Sequence, residues 1–159
     1  SGKTTLFNSL TGSTAHVGNW PGVTVDKKEG LYKKCAEPIN VIDLPGIYSL
    51  SPYTPEEVIS RNFIINDKPD CVINVVDVTN IERNLYLTTQ LMEMDVPVVV
   101  ALDMMDVFEK EGNKIDTTLL SKRMGLPVIC ISAQKEENLD ALMEEAYKAS
   151  LELGCFFYF

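Results

Sequence analysis

Short apolar runs rich in β-formers alternate along this chain with stretches of helical period. That alternation limits the fold more than any other feature. Ile39–Asp43, Cys71–Asp77, Pro97–Leu102 and Pro127–Ile131 read as strands. The run Cys71-Val72-Ile73-Asn74-Val75-Val76-Asp77 is nearly continuous in apolar residues, as a strand covered on both faces would be. Gly30–Cys35 reads as a further strand, joined to the Ile39 strand by a turn at Glu37-Pro38. Between the strands lie helices with legible ends. Thr54-Pro55-Glu56-Glu57 supplies an N-cap, a proline at the first helical position and a capping-box glutamate, followed by Val58, Ile59, Phe63 and Ile64 on the apolar side. Asn80 caps a helix with Leu85, Leu87, Leu91 and Met92 inward, and Asp116 caps a short helix ending at Gly125. A long terminal helix runs from Asn138 to Leu153 and stops at Gly154. The pattern predicts an α/β fold: a mostly parallel sheet, helices on both faces, and a ligand at the carboxyl ends of the strands.

A second feature narrows that ligand. The chain opens on Ser1-Gly2-Lys3-Thr4-Thr5, the back half of a phosphate-binding loop of the form G-x-x-x-x-G-K-[ST]. Gly2 lets backbone N–H groups approach a phosphate. Lys3 brings a point charge for the β/γ oxygens, and the Thr4 hydroxyl suits Mg²⁺. The following helix, with Leu6, Phe7 and Leu10 on one stripe and Gly12 at its end, aims its positive dipole end at the same anion. A Gly-Lys-Thr triplet alone is weak evidence. Its weight comes from partners that appear downstream in order.

Composition removes other classes. A net charge of −9 and a pI near 4.6 leave no basic stripe for nucleic acid. Cys35, Cys71, Cys130 and Cys155 lack C-x-x-C spacing and read as small buried hydrophobes of a reducing compartment. His16 has no ligand partner nearby in sequence and reads as a surface loop residue. No signal peptide is visible, and the longest apolar run, Val96 to Leu102, is too short to span a bilayer. The chain is expected to be soluble. The polar stretch Ser13 to Lys28 has no stable periodicity and reads as a mobile loop.

The strand ends carry what a nucleotide site needs. Asp43 closes its strand as Asp43-Leu44-Pro45-Gly46, placed to hold Mg²⁺ through water while the Gly46 N–H meets a γ-phosphate. Thr24 lies in the loop, where its hydroxyl can close on Mg²⁺. Asp103-Met104-Met105-Asp106 ends the Pro97 strand where G proteins carry N-x-x-D. The Asp106 carboxylate accepts from two adjacent donors, the N1–H and N2–H₂ of guanine, and adenine lacks both. Ser132-Ala133 ends the last strand and offers a backbone N–H to guanine O6. Each element has a dull alternative as a turn or a helix cap; the ordered set does not.

The strings around these residues are more specific. Val17-Gly18-Asn19-Trp20-Pro21-Gly22-Val23-Thr24-Val25 resembles the first switch of FeoB-type ferrous iron transporters. Asp43-Leu44-Pro45-Gly46-Ile47-Tyr48-Ser49-Leu50-Ser51-Pro52-Tyr53 and Asn80-Ile81-Glu82-Arg83-Asn84-Leu85-Tyr86-Leu87-Thr88-Thr89-Gln90-Leu91 resemble further segments of that family. The likeness runs from Ser1 to about Leu153. It implies a P-loop NTPase G-domain fold over residues 1–154, with 155–159 an apolar tail. It also implies a cytoplasmic GTPase on the inner face of the cell membrane, followed in the intact protein by a helical regulatory domain and a transmembrane iron-permease region. By the resemblance GTP or GDP binds through Ser1, Gly2, Lys3, Thr4, Thr5, Gly46, Asp103, Met104, Asp106, Ser132 and Ala133. Thr4, Thr24 and Asp43 serve Mg²⁺, and Thr24 is the switch threonine that assists hydrolysis. K⁺ is the activator that the resemblance implies.

Two departures matter. The family carries asparagine where this chain has Asp103. A carboxylate can only accept, and it faces guanine N7 and O6, both acceptors; losing one such contact costs roughly 1–3 kcal/mol. Guanine is still preferred, with less margin, since Asp106 would oppose adenine N1. The chain also reads as a fragment without the first strand, the leading glycine of the phosphate loop, and the asparagine before Ser1 that the family uses for K⁺.

Ile47 stands where Ras-like proteins carry a water-orienting glutamine, so slow hydrolysis is expected, served by backbone groups of the first switch. A nucleotide-sensing module without useful catalysis, or a broader NTPase that also takes ATP, remains open at this point. The tail Cys155-Phe156-Phe157-Tyr158-Phe159 has two readings. It is an exposed aromatic stub, or a strand that enters the central position between the Ile39 and Cys71 strands, where a gap of about 10 Å would otherwise stand.

Overall fold

The computed structural model describes residues 2–47, 49–150 and 156–158. The opening helix α1 (Gly2–Thr11) buries Leu6, Phe7 and Leu10, and Gly12 follows at φ +53, the left-handed stop that glycine adopts without cost. Strands β1 (His16–Asn19), β2 (Asp26–Tyr32) and β3 (Ile39–Asp43) come next, then α2 (Pro55–Asn62), β4 (Cys71–Asp77) and α3 (Ile81–Met92). The chain continues with β5 (Val98–Asp103), α4 (Met105–Lys110), α5 (Thr117–Met124), β6 (Val128–Cys130), α6 (Leu139–Ser150) and β7 (Phe156–Tyr158).

One sheet takes all seven strands in the order β1-β2-β3-β7-β4-β5-β6. Strands β3, β7, β4, β5 and β6 are parallel, and β1 and β2 are antiparallel additions at one edge. Helices α1 and α6 cover one face, where Leu6, Phe7, Leu142 and Met143 pack against Val41, Ile73 and Val99. The other face packs Phe63, Ile64 and Leu91 on Ile42, Val72 and Val98. Carboxyl ends of β3, β4 and β5 therefore lie on one rim, beside the start of α1.

The helix ends follow the sequence reading. Thr54 Oγ1 accepts from the Glu57 N–H at 3.1 Å, with Pro55 at the first helical position. Asp116 accepts from the Leu119 N–H at 3.0 Å, and Gly125 closes α5 at φ +70. Asn80 occupies the cap position of α3, but its side chain makes no cap bond; Asp77 instead accepts from the Thr79 N–H at 2.9 Å.

Three expectations need correction. Residues expected to form a loop contain β1, and β2 starts at Asp26 rather than Gly30. All four β1 side chains are exposed, so this edge strand is held by backbone pairing and leaves no apolar alternation to read. His16 is thus a strand residue, 3.2 Å from Glu29 across the pair. Val58 and Met92, expected inward, are exposed, while Ser60 and Thr88 take buried positions. Thr88 does so by donating to buried Asn74. Finally, α2 tightens into no simple end: Phe63–Asp67 forms a π-helical turn, closed by Lys68 at φ +49.

The tail is a strand. Its residues Phe156, Phe157 and Tyr158 pair with Asn40, Val41 and Ile42 on one side. On the other, Phe157 and Tyr158 pair with Cys71 and Val72. Cys155 and Phe159 lie outside the described residues, as does the end of the terminal helix. Phe157 pairs on both sides, so Phe157→Pro removes a ladder donor from a central strand. Its thermal midpoint should fall by several degrees, corresponding to about 3 kcal/mol. An unchanged midpoint would mean that β7 contributes nothing to the sheet.

Candidate functional site

Helix α1 starts at the rim, where Lys3 reaches the end of β3 and Gly2 lies against Asp103. The Lys3 ammonium donates to Asp43 Oδ1 at 2.5 Å and to the Leu44 carbonyl at 2.5 Å. Asp43 is nearly buried at the end of β3. The expected phosphate ligand and the expected Mg²⁺ ligand thus neutralise each other. A phosphate anion and a divalent cation, if bound here, would compete for the two ends of this pair. Thr4 is half-buried on the next turn position, and Thr5 is exposed. Ser1 lies outside the described residues.

Asp103 ties three segments together. It ends β5, is 4% exposed, and through Oδ1 accepts the Met104 N–H at 2.9 Å and the Ala133 N–H at 3.2 Å. A Cβ on Gly2 would lie 2.3 Å from Asp103 Oδ2, so only glycine allows this approach. The Ala133 N–H, expected to face a ligand, is committed to Asp103 here. Met104 turns the chain at φ +69 into α4, which sets Asp106 at the rim.

Asp106 has a partner that the sequence did not announce. Lys135 Nζ lies 3.1 Å from its Oδ2, and the hydrogen bond from Lys135 holds the Asp106 carboxyl below its ordinary range. The loop after β6 places that lysine. Ser132 and Glu137 form an antiparallel bridge, and Ser132 Oγ accepts from the Lys135 N–H at 3.2 Å. The signal available was a cation two residues beyond Ala133, in a loop that ends beside the Asp106 turn.

A cavity of about 490 Å³ opens at this rim, lined by Gly2, Lys3, Gly46, Asp77, Asp103 and Met104 among others. Its size suits a small ligand. Thr24 is elsewhere. It is exposed, in the turn between β1 and β2, and does not line the cavity. Ile47, partly buried, packs against the apolar cluster of Ile42, Leu44 and Phe63 and lines the cavity with an apolar side chain that cannot orient water. Oxygen donors at Thr4 and Asp43 match the hard-ligand preference of Mg²⁺. Among the described residues no helix is long and apolar enough to cross a membrane.

The family model for ferrous iron transport protein B matches residues 1–146. This chain belongs to that family. A fusion of Fe(2+) transport protein A with the Fe(2+) transporter FeoB from Porphyromonas gingivalis is 49% identical over 144 residues, covering 90% of this chain and 17% of the relative. The Fe(2+) transporter FeoB of Escherichia coli is 46% identical over 156 residues, covering 94% of this chain and 20% of the relative. The chain therefore spans about a fifth of the length of these curated relatives. Among solved structures, an S. thermophilus NFeoB mutant bound to GDP superposes with TM-score 0.91 at 48% identity, over 98% of this chain and 61% of that one. The cytosolic domain of the T. maritima FeoB iron transporter in its GMPPNP form also superposes with TM-score 0.91, at 41% identity, over 98% of this chain and 62% of that one. The fold is that of the P-loop GTPases, and the region is the N-terminal G domain of FeoB.

The Asp106–Lys135 pair makes a testable electrostatic statement. Because Lys135 stabilises the charged carboxylate, Lys135→Ala should raise the Asp106 pKa toward the ordinary 3.8. A carboxyl ¹³C titration reads it; an Asp106 pKa that does not rise would mean the pair is not formed in solution.

Proposed function

We propose that this FeoB G domain binds GTP and GDP at the rim of the sheet and hydrolyses GTP slowly. It would act as the nucleotide switch of a ferrous iron membrane transporter. The observation that carries the reading is the convergence of Lys3, Asp43, Asp103 and Asp106 on one rim, from segments far apart in sequence. Lys3 leaves Asp43 for the β/γ-phosphate oxygens. Backbone N–H groups at Ser1, Gly2 and the start of α1, with Thr5 beside them, cradle the phosphates. Thr4 and Asp43 hold Mg²⁺, which when bound neutralises charge on the β- and γ-oxygens. The Gly46 N–H meets the γ-phosphate. Met104 and the Ser132-Ala133 loop flank the base, and Asp106 accepts from guanine N1–H and N2–H₂.

Thr24 completes the site from the first switch, and hydrolysis rests on positioning and charge rather than on a side-chain base. The GDP and GMPPNP forms of structural relatives support guanine nucleotides over adenine nucleotides. K⁺ as activator and a place on the cytoplasmic face of the inner membrane belong to the same proposal and rest on family membership alone. So do a helical regulatory domain and a transmembrane iron-permease region as partners in the intact protein.

Two substitutions test the base assignment in opposite directions. Asp106→Asn should weaken GDP about tenfold or more, because an amide cannot accept from both guanine donors. Asp103→Asn should tighten it, since the amide gives guanine N7 a donor. Calorimetric titration reads both. Unchanged affinity for Asp106→Asn places the base elsewhere, and looser binding for Asp103→Asn gives that carboxylate a different role.

A further inference from the structure

Trp20, the only tryptophan of the chain, belongs to the first-switch stretch and packs against the end of the α2 segment. Its indole is 6% exposed and meets Phe63 edge-on, with ring centroids 5.3 Å apart at 75°. Lys27 Nζ lies over the ring, 4.9 Å from its centroid. Phe63 begins the π-helical turn that ends the α2 segment, a local irregularity often found at functional elements. Ile42 and Leu44, on either side of Asp43, belong to the same apolar cluster, as does partly buried Ile47.

The docked indole fixes where Thr24 can be. The Trp20 backbone N–H donates to the Val25 carbonyl at 3.0 Å, and Val25 packs against the same cluster. The turn 21–24, with Gly22 at φ +78, is thereby pinned at both ends and stands outside the core. Lys28 pairs with Asp43 in register. Three residues back from Lys28, just before β2 begins, at about 3.3 Å each, put Val25 roughly 10 Å past Asp43, with Thr24 one residue beyond it. From there the Thr24 hydroxyl cannot share a cation with Thr4 and Asp43.

The contact is also poised to release. Apolar burial, the aromatic edge contact and the Lys27 cation favour docking. Against them, Trp20 Nε1 is buried with no hydrogen-bond partner among the described residues. A buried N–H without an acceptor favours return to water. We infer that Trp20 is a positioning residue for Thr24: the Trp20–Phe63 contact holds the first switch disengaged, and its release lets Thr24 reach the nucleotide. The inference rests on the guanine-nucleotide reading above. It adds a physical link between the first switch and the α2 segment, since displacing the indole also uncovers Phe63.

Labelled with 5-fluorotryptophan, the chain carries a single fluorine probe, at Trp20. The H₂O/D₂O shift of its ¹⁹F resonance should be small with GDP and should grow with GMPPNP. Equal shielding with both bound nucleotides overturns the inference. Trp20→Ala should raise the ratio of GMPPNP to GDP affinity about fivefold, by removing the bias toward the disengaged state, while Trp20→Phe stays within roughly twofold of the parent. A role in stability alone would lower both affinities together and leave the ratio unmoved, which also overturns it. Phe63→Ala, read without nucleotide, tests the contact separately: Trp20 should become solvent-exposed, and persistent shielding sinks the contact. Failure of the parent chain to bind either nucleotide, with Trp20 still released by Phe63→Ala, would overturn the functional reading and its switch role while leaving the contact itself established.

Discussion

Three residues of backbone make this sheet continuous. Strands β3 and β4 each pair with β7, so among the described residues the antiparallel edge of β1 to β3 and the parallel block of β4 to β6 are joined in the sheet through Phe156–Tyr158. An unfilled slot would leave two facing rows of unpaired amides and carbonyls in the middle of the domain, at a cost of several hydrogen bonds. With it filled, β3, β4 and β5 end on one rim, and Asp43, Asp77 and Asp103 come within reach of α1. The carboxylates that define the site are therefore placed by strand pairing before any ligand chemistry begins.

At that rim the charges are arranged to be exchanged. Lys3 satisfies Asp43, Lys135 satisfies Asp106, and two backbone N–H groups satisfy Asp103 Oδ1. On the proposed reading, an anionic nucleotide with a divalent cation would replace the first of these pairs like for like, the Lys3 ammonium turning to phosphate and the Asp43 carboxylate to the cation. Asp103 behaves differently. Its Oδ1 bonds tie β5 to the loop after β6, while Oδ2 lies against Gly2 and brings negative charge where the family's asparagine would bring a donor. Affinity for the base is thus expected to suffer more than architecture.

Much of this was legible in the sequence because the information is local. Thr54, Asp116 and Gly125 act within one turn of their own position, and the apolar run from Cys71 declares a doubly covered strand. The place of the tail followed from topology rather than pattern. What stayed hidden is non-local or lacks a side-chain signature. Strand β1 exposes all its side chains and pairs through backbone, so its residues look like loop. Helix α4 is six residues long, too short for a periodic stripe. The Lys3–Asp43 and Asp106–Lys135 pairs join residues that only the sheet order brings together. Ser60 and Thr88 are buried on helices where Val58 and Met92 were expected inward, Thr88 through its bond to Asn74 on β4.

The central claim is that a guanine nucleotide occupies this rim and is read by Asp106. Competition between GDP and ADP for the chain, in the presence of Mg²⁺, tests it most directly. An acceptor facing two guanine donors, and the adenine N1 lone pair in their absence, predicts GDP binding about tenfold tighter or more. ADP binding as tight as GDP would contradict the account.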